Sequence, residues 1–283
     1  MDEINNMMIE RFTGKNLLEL PHDFSVVQIE TTDLDPSRDQ IIEIAAEKYR
    51  KNESKKEFEW SSTEKAKTDL GDALYKLSTF VGTDIVVINC TAFFRPFIGN
   101  AFVKNLGRPF SNDIVDIQRL FRRIENQKSA RLSHMIKFYK LSTSHNLKAN
   151  EDIKSVEGIY LALQKDFEEH FKSIKELQPE SSDFRLKDVP GDPAKNDKNN
   201  AFYDKYVSAT GKLNAYTRRE VAQMINNIGG HFQKKPGKKT NYLILGKLEK
   251  GASNKLERAK ELPNVKIIHE DDFLDMVAGY EWA

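Results

Sequence analysis

Gln28 and Glu30 stand two apart in the apolar run FSVVQIE (residues 24–30), a pattern that predicts a strand. Alternate strand residues face the same way, so the two side chains share a face. A carboxylate there is a candidate ligand for a hard divalent cation, which takes oxygen donors. Two such cations ~4 Å apart, activating water for hydrolysis, need several carboxylates converging on one point. An amide at position 28 offers an oxygen without a charge. A second pattern, far along the chain, points to anion chemistry. Thr210-Gly211 closes the predicted strand KYVSATG, and Lys255 falls in the first turn of the predicted helix SNKLERAKEL. A glycine lets the backbone approach an anion, and a helix start presents free amides and partial positive charge. Each pattern also has a purely structural reading: a polar group at a strand end, a tight turn, a solvated lysine.

The elements that must position these residues are legible as two alternating α/β stretches. Residues 22–176 hold strands at FSVVQIE, QIIEIAAEKYR, KKEFEW and DIVVINC. Among them lie a helix over TEKAKTDLGDALYKLSTFVG, a helix after Pro96 closing on Gly107, and a strand passing into a helix at NDIVDIQRLFRRI. A helix at ARLSHMIKFYKL and a long amphipathic one at NEDIKSVEGIYLALQKDFEEHF complete the stretch. That order predicts a mixed sheet flanked by helices. Residues 177–200 are rich in Pro, Asp, Asn, Ser and Lys and predict an exposed, semi-extended linker. Residues 201–283 then read as a small β-α-β-β-α-β-α domain, with Thr217 and Glu220 as a capping box. Residues 1–21 suggest at most a short helix packed on the first domain.

The chain has 283 residues, 39% hydrophobic and 31% charged, with a net charge of +1. Residues 201–283 carry 14 Lys and Arg against 10 Asp and Glu, a net +4 that leaves −3 for the rest. A basic C-terminal part can meet an anion. Cys90 is the single cysteine, which excludes an intramolecular disulfide and a cysteine-rich zinc site. No apolar run approaches the ~20 residues that span a bilayer, and MDEINNMMIERF lacks the features of a secretory signal. A cytoplasmic or nucleoid-associated setting is expected.

The words VVQIETTDLDP…DQIIEIAAEKY, VVINCTAFFRPFIGNAF, VDIQRLFRRI and HNLKANEDIKSVEGIYLAL resemble the DEDDh 3′–5′ exonucleases, the family of bacterial proofreading subunits. The resemblance implies a ribonuclease-H-like fold and a two-metal site using Mg or Mn. It also implies that this site is degenerate. Glu30 matches a family carboxylate, but Gln28 stands where the first Asp belongs. Phe94 falls at the position of the second-motif Asp, and Asn89 and Cys90 replace the His and Asn that open that motif. Asp152 matches the last Asp. Leu147 occupies the position of the general-base His, with His145 two residues earlier as a possible substitute. Asp33 and Asp35 are the nearest acidic replacements in sequence. Glu30 and Asp152 remain as a weak metal site at best, so the resemblance implies a domain without hydrolase activity and without a bound cofactor.

The words VSATGKL, TRREVAQMINNIGGHF, GKKTNYLILG, SNKLERAKEL and VKIIHEDDFLDMV resemble a BRCT domain of the kind found in bacterial DNA ligases and the large subunit of clamp loaders. That implies a parallel sheet and a phosphate site at Thr210, Gly211 and Lys255. Arg218 matches an arginine of the clamp-loader type, which binds a recessed 5′-phosphorylated DNA end. Arg219, Lys238 and Lys239 are candidates for neighbouring backbone phosphates. Together the two resemblances imply a DNA-binding protein of replication or repair. An active exonuclease and a protein–protein scaffold without nucleic-acid affinity stand as the alternatives.

Overall fold

The computed structural model describes residues 10–63, 69–127, 129–142, 148–177, 184–248 and 253–280. The chain divides into two units between Leu177 and Gln178.

The first unit is built on a six-stranded mixed sheet, as its alternating elements predict. Its strands are β1 (Asn16–Leu17), β2 (Phe24–Thr31), β3 (Ile41–Arg50), β4 (Glu53–Ser61), β5 (Val86–Ile88) and β6 (Ile114–Asp116). They lie in the order β1-β6-β5-β2-β3-β4. β2 pairs antiparallel with β3 and β3 with β4, while β2, β5, β6 and β1 run parallel. The helices are α1 (Leu70–Val81), α2 (Thr91–Leu106), α3 (Ile117–Ile124), α4 (Leu132–Phe138) and α5 (Ala149–His170). Strand alternation divides the core in two. Val27, Ile29, Ile44 and Ala46 pack with α1 and α2 on one face. Phe24, Val26, Ala45 and Tyr49 pack with α3, α4 and α5 on the other. Each such buried apolar side chain contributes ~1.5–3 kcal/mol.

Three local outcomes differ from the sequence expectations. α2 begins at Thr91, five residues before Pro96, and carries the proline inside. Its N-cap, Cys90, makes no side-chain cap; instead the buried Asp116 at the end of β6 accepts from Thr91 N at 2.8 Å. The same carboxylate caps α3 by accepting from Arg119 N at 3.0 Å. A cap supplied from another strand leaves no local signal. Residues 10–21 form no helix. They run extended along the open edge of β6, where Phe110 N donates to Arg11 O and Ile114 N to Lys15 O. Phe12 is buried against Phe110, ring centroids 5.1 Å apart. α1 is shorter than its periodicity predicts, with Asp69 as N-cap accepting from Asp72 N; residues 64–68 of the expected helix lie outside the described residues.

Asp84 ties the turn after α1 to the sheet. It accepts from Ser25 Oγ at 2.7 Å and from both terminal nitrogens of Arg50, and lies 3.3 Å from Lys48 Nζ. Burial alone would raise its pKa, but Arg50, Ser25 and Lys48 together hold it below the ordinary carboxylate value. A depressed folded pKa means stability that is present above ~3.9 and lost as the pH falls through the folded value. Replacing Asp84 with Asn is therefore expected to lower the urea midpoint of the first unit at neutral pH. The difference should close as the pH drops below ~4, read by hydrogen exchange at β2 and β5.

The second unit has the parallel sheet expected of it. Strands β7 (Tyr206–Thr210), β8 (His231–Gln233), β9 (Thr240–Leu245) and β10 (Lys266–His269) lie in the order β10-β9-β7-β8, all parallel. α6 (Arg218–Ile228) joins β7 to β8, α7 (Asn254–Lys260) joins β9 to β10, and α8 (Glu270–Val277) follows. Thr217 and Glu220 form the capping box and Ser253 caps α7, as their spacing predicts. Phe202 and Phe273 meet in the core with centroids 5.7 Å apart.

Residues 184–200, which read as an exposed linker, pack on this unit instead. Val189 is 1% exposed. Asn226 Nδ2 donates to Val189 O, Gln223 Nε2 to Pro190 O, and Asp192 N to Asn227 Oδ1. Polar side chains of α6 satisfy the backbone of a segment whose own composition has little to bury.

Candidate phosphate site and carboxylate remnant

In a parallel sheet every strand ends at the same edge, so residues just past the strand ends converge whatever their sequence separation. β7 ends at Thr210, which is buried and shares a 2.8 Å hydrogen bond between its hydroxyl and that of Ser253. Gly211 follows at φ +78°, and a Cβ there would sit 2.5 Å from Gly246 O. This glycine is thus required by packing, independent of any ligand. Gly211→Ala is expected to destabilise the second unit by more than ~1 kcal/mol, measured as a fall in its urea midpoint with the first unit unchanged.

Around this turn the structure gathers cations. Arg218, the first residue of α6, donates from Nη2 to Gly211 O at 3.1 Å. Lys255 donates from Nζ to Ala209 O at 3.3 Å. Its pKa is lowered, first by burial and then by Arg218, Lys235 and Lys234. Every charged group that shifts it is a cation, which marks a place where a negative ligand would relieve repulsion. α7 has only seven residues, so the side chains rather than a helix dipole define the site. Thr210, Gly211, Arg218 and Lys255 therefore come together, the grouping that the resemblance to a BRCT domain implies.

Lys238 and Lys239 do not join them. They precede β9, whose first residue pairs with Tyr206 while Leu245 pairs with Thr210. Lys239 Nζ lies 5.7 Å from the Tyr206 ring. The two lysines thus flank the start of β7, about 13 Å from its end at the usual strand rise. Lys234 and Lys235 directly follow β8 and are close enough to lower the pKa of Lys255, with Lys234 Nζ also 5.5 Å from the Phe184 ring. Their signal was available: β8 runs parallel to β7, so the residues after it reach the same edge as Thr210.

In the first unit, Gln28 and Glu30 do share the face under α5, since Val27 and Ile29 between and beside them belong to the opposite cluster. Gln28 is buried, and its amide donates to Val27 O at 2.9 Å. Glu30 lies in register with Glu43 of β3. Glu43 was not singled out by motif, although it alternates with the apolar Ile44. Its carboxylate accepts from Ala149 N at 3.3 Å, at the start of α5, where Lys148 provides no side-chain cap. Asp152 is buried in the first turn of the same helix.

Phe94 is not beside this group. It is 3% exposed in the cluster with Val27 and Ile29, edge-on to Phe110 at 5.9 Å. Phe94, which the resemblance placed at a family carboxylate position, thus serves the core on the other side of the sheet. Asp33 and Asp35 stay in the turn after β2. Asp35 accepts from Ser37 and Arg38, whose hydrogen bonds hold its pKa down. His145 and Leu147 lie outside the described residues. The Cys90 thiol is pushed up to about 12 by burial and the nearby Asp116. Among the described residues, no group of three or more His, Cys, Asp and Glu could hold a metal ion. The donors among the described residues do not fit a pair of divalent cations.

Residues 197–277 match the sequence model of the BRCA1 C Terminus (BRCT) domain, so the second unit carries a BRCT domain. A DNA ligase of Fervidobacterium nodosum is 31% identical over 127 residues, covering 45% of this chain and 18% of the ligase. A DNA ligase of Clostridium novyi is 28% identical over 181 residues, covering 64% of this chain and 24% of the ligase. The matched part of this chain thus corresponds to about a fifth to a quarter of these curated relatives. Among solved structures, Escherichia coli exonuclease I in complex with a dT13 oligonucleotide is similar at 12% identity and a TM-score of 0.45, over 53% of this chain and 42% of that one. Exonuclease X in complex with 5′-overhanging duplex DNA is similar at 12% identity and a TM-score of 0.40, over 54% and 96%. Among the described residues no helix is long and apolar enough to cross a membrane.

Proposed function

We propose that this protein binds DNA in replication or repair, with the BRCT domain holding a phosphorylated 5′ end and the first unit acting without catalysis. The single observation that carries the reading is the approach of Arg218 and Lys255 to the Thr210-Gly211 turn, where burial first and then Arg218, Lys235 and Lys234 lower the pKa of Lys255. A phosphate would accept from Lys255 and Arg218 and from the Thr210 hydroxyl, offsetting the repulsion among them. The BRCT match and the DNA ligase relatives support nucleic acid as the source of that phosphate. The first unit keeps Glu30 and Asp152 but carries the uncharged Gln28 on the same strand face as Glu30, which supports a domain that grips rather than cuts and needs no Mg or Mn.

Fluorescence anisotropy with otherwise identical 5′-phosphorylated and dephosphorylated duplexes tests it. Tighter binding of the phosphorylated duplex is expected, and log affinity should fall against log salt with a slope of roughly 3–4 if the four cations each neutralise a phosphate. Equal affinity for both duplexes would remove the end-binding claim. Release of nucleotides in Mg or Mn that stops with Glu30→Ala or Asp152→Ala would remove the non-catalytic one.

A further inference from the structure

The loop between β7 and α6 carries the phosphate cluster, and its course depends on a residue outside that cluster. Residues 211–217 are fastened at both ends and in the middle. After the turn at Gly211, Lys212 pairs with Lys247 in an isolated antiparallel bridge, each amide donating to the other's carbonyl at 2.8 Å. At the far end Thr217 and Glu220 close the capping box that starts α6. Between them, Asn214 N and Ala215 N donate to the two carboxylate oxygens of Glu270, at 2.9 and 2.7 Å. Glu270 is the first residue of α8, 55 residues beyond Ala215.

An acid near a cluster of cations works against an anionic ligand by charge alone. What Glu270 offers the cluster is geometry. Hydrogen bonds to an ionised acceptor are roughly twice as strong as neutral ones, and here two of them hold successive amides just ahead of Arg218. Arg218 then doubles back to donate to Gly211 O at 3.1 Å, the contact that sets its charge beside Lys255. Its side chain is exposed, so its place follows from where the loop delivers the start of α6 rather than from burial of its own stem.

We propose that Glu270 is a positioning residue of the phosphate site. By holding the Asn214 and Ala215 amides it places Arg218 across Gly211, so that Arg218 and Lys255 meet a terminal phosphate together. This rests on the reading of the cluster as a phosphate site.

Glu270→Gln and Glu270→Asp in the full chain test it, each with two readouts. The glutamine turns an NH2 group toward one of the two amides. The aspartate keeps the charge and draws it back by one methylene. Both are expected to lower the ratio of affinities for the 5′-phosphorylated over the dephosphorylated duplex roughly two- to tenfold. The second readout is an NMR titration of the Lys255 ammonium, which needs no DNA. Arg218 contributes to the lowered pKa of Lys255, so its release should move that titration to higher pH in both variants. Tighter binding of the phosphorylated duplex by Glu270→Gln, the result of losing a repelling charge and nothing else, would overturn the proposal. A parental affinity ratio in both variants, or a Lys255 titration unmoved in both, would do the same. Where the glutamine variant fails to fold, the aspartate variant decides by the same two readouts. A parent with no preference for the 5′-phosphate would remove the phosphate reading, while a shifted Lys255 titration in the variants would still uphold the hold of Glu270 on Arg218.

Discussion

Phe94→Asp is expected to unfold the first unit rather than restore a carboxylate to a cleft. Its alignment with a family Asp makes it the obvious repair, but its side chain lies in the α1/α2 core against Phe110. Removing a buried phenyl ring costs ~3–5 kcal/mol, and an unpaired carboxylate in its place adds several more. Domains have only ~5–15 kcal/mol in total. Gln28→Asp should behave differently. Gln28 shares the α5 face with Glu30 and keeps 9% exposure, so that variant is expected to fold with a loss of ~1–3 kcal/mol. Hydrogen exchange at β2 and β5 distinguishes them: protection lost throughout the first unit in Phe94→Asp, retained in Gln28→Asp, with the second unit native in both. A Phe94→Asp protein as protected as the parent would mean that the side chain faces the carboxylates after all.

Lys255→Met should erase the preference for a 5′-phosphate. The methionine keeps the apolar stem and removes the charge. A hydrogen bond to a charged group is worth ~1.5–3 kcal/mol, so the phosphorylated duplex should bind about 10- to 150-fold more weakly. The dephosphorylated duplex should be little affected. pH gives a second readout. Burial, Arg218, Lys235 and Lys234 lower the pKa of Lys255, so raising the pH neutralises it before an ordinary lysine at ~10.4. Phosphate-dependent affinity should therefore fall as the pH rises through that lowered value. Removing Arg218 takes away one neighbouring cation and should move the fall to higher pH, even as overall affinity drops. If Lys255→Met binds both duplexes as the parent does, the cation cluster is a structural feature of the sheet edge and not a phosphate site.

These two outcomes also separate what local sequence can specify from what it cannot. The strands FSVVQIE and IIEIAAEKYR, the Thr217–Glu220 box and the Ser253 cap depend on residues within a few positions of one another, and they form where their patterns place them. The grouping of Thr210, Arg218 and Lys255 was implied by the resemblance of the words around them to a BRCT domain, and a parallel sheet, which delivers its strand ends to one edge, gives the physical reason. The same rule applies to Lys234 and Lys235, but a count of basic residues gives Lys238 and Lys239 equal weight. Only the register of β9 on β7 separates the pairs.

The amino-acid sequence by itself determined the alternation of elements, the two-unit organisation and the uncharged side chain at position 28, because periodicity, capping and residue type are local properties. The tertiary structure alone decided that Asp116 starts α2, that residues 10–21 join the sheet edge, that residues 184–200 rest on α6, and that Phe94 faces away from Glu30. Each of those depends on a partner far along the chain that satisfies a backbone group or fills a core. A hydrogen bond made across about 25 or 100 residues leaves no trace in the spacing of its neighbours.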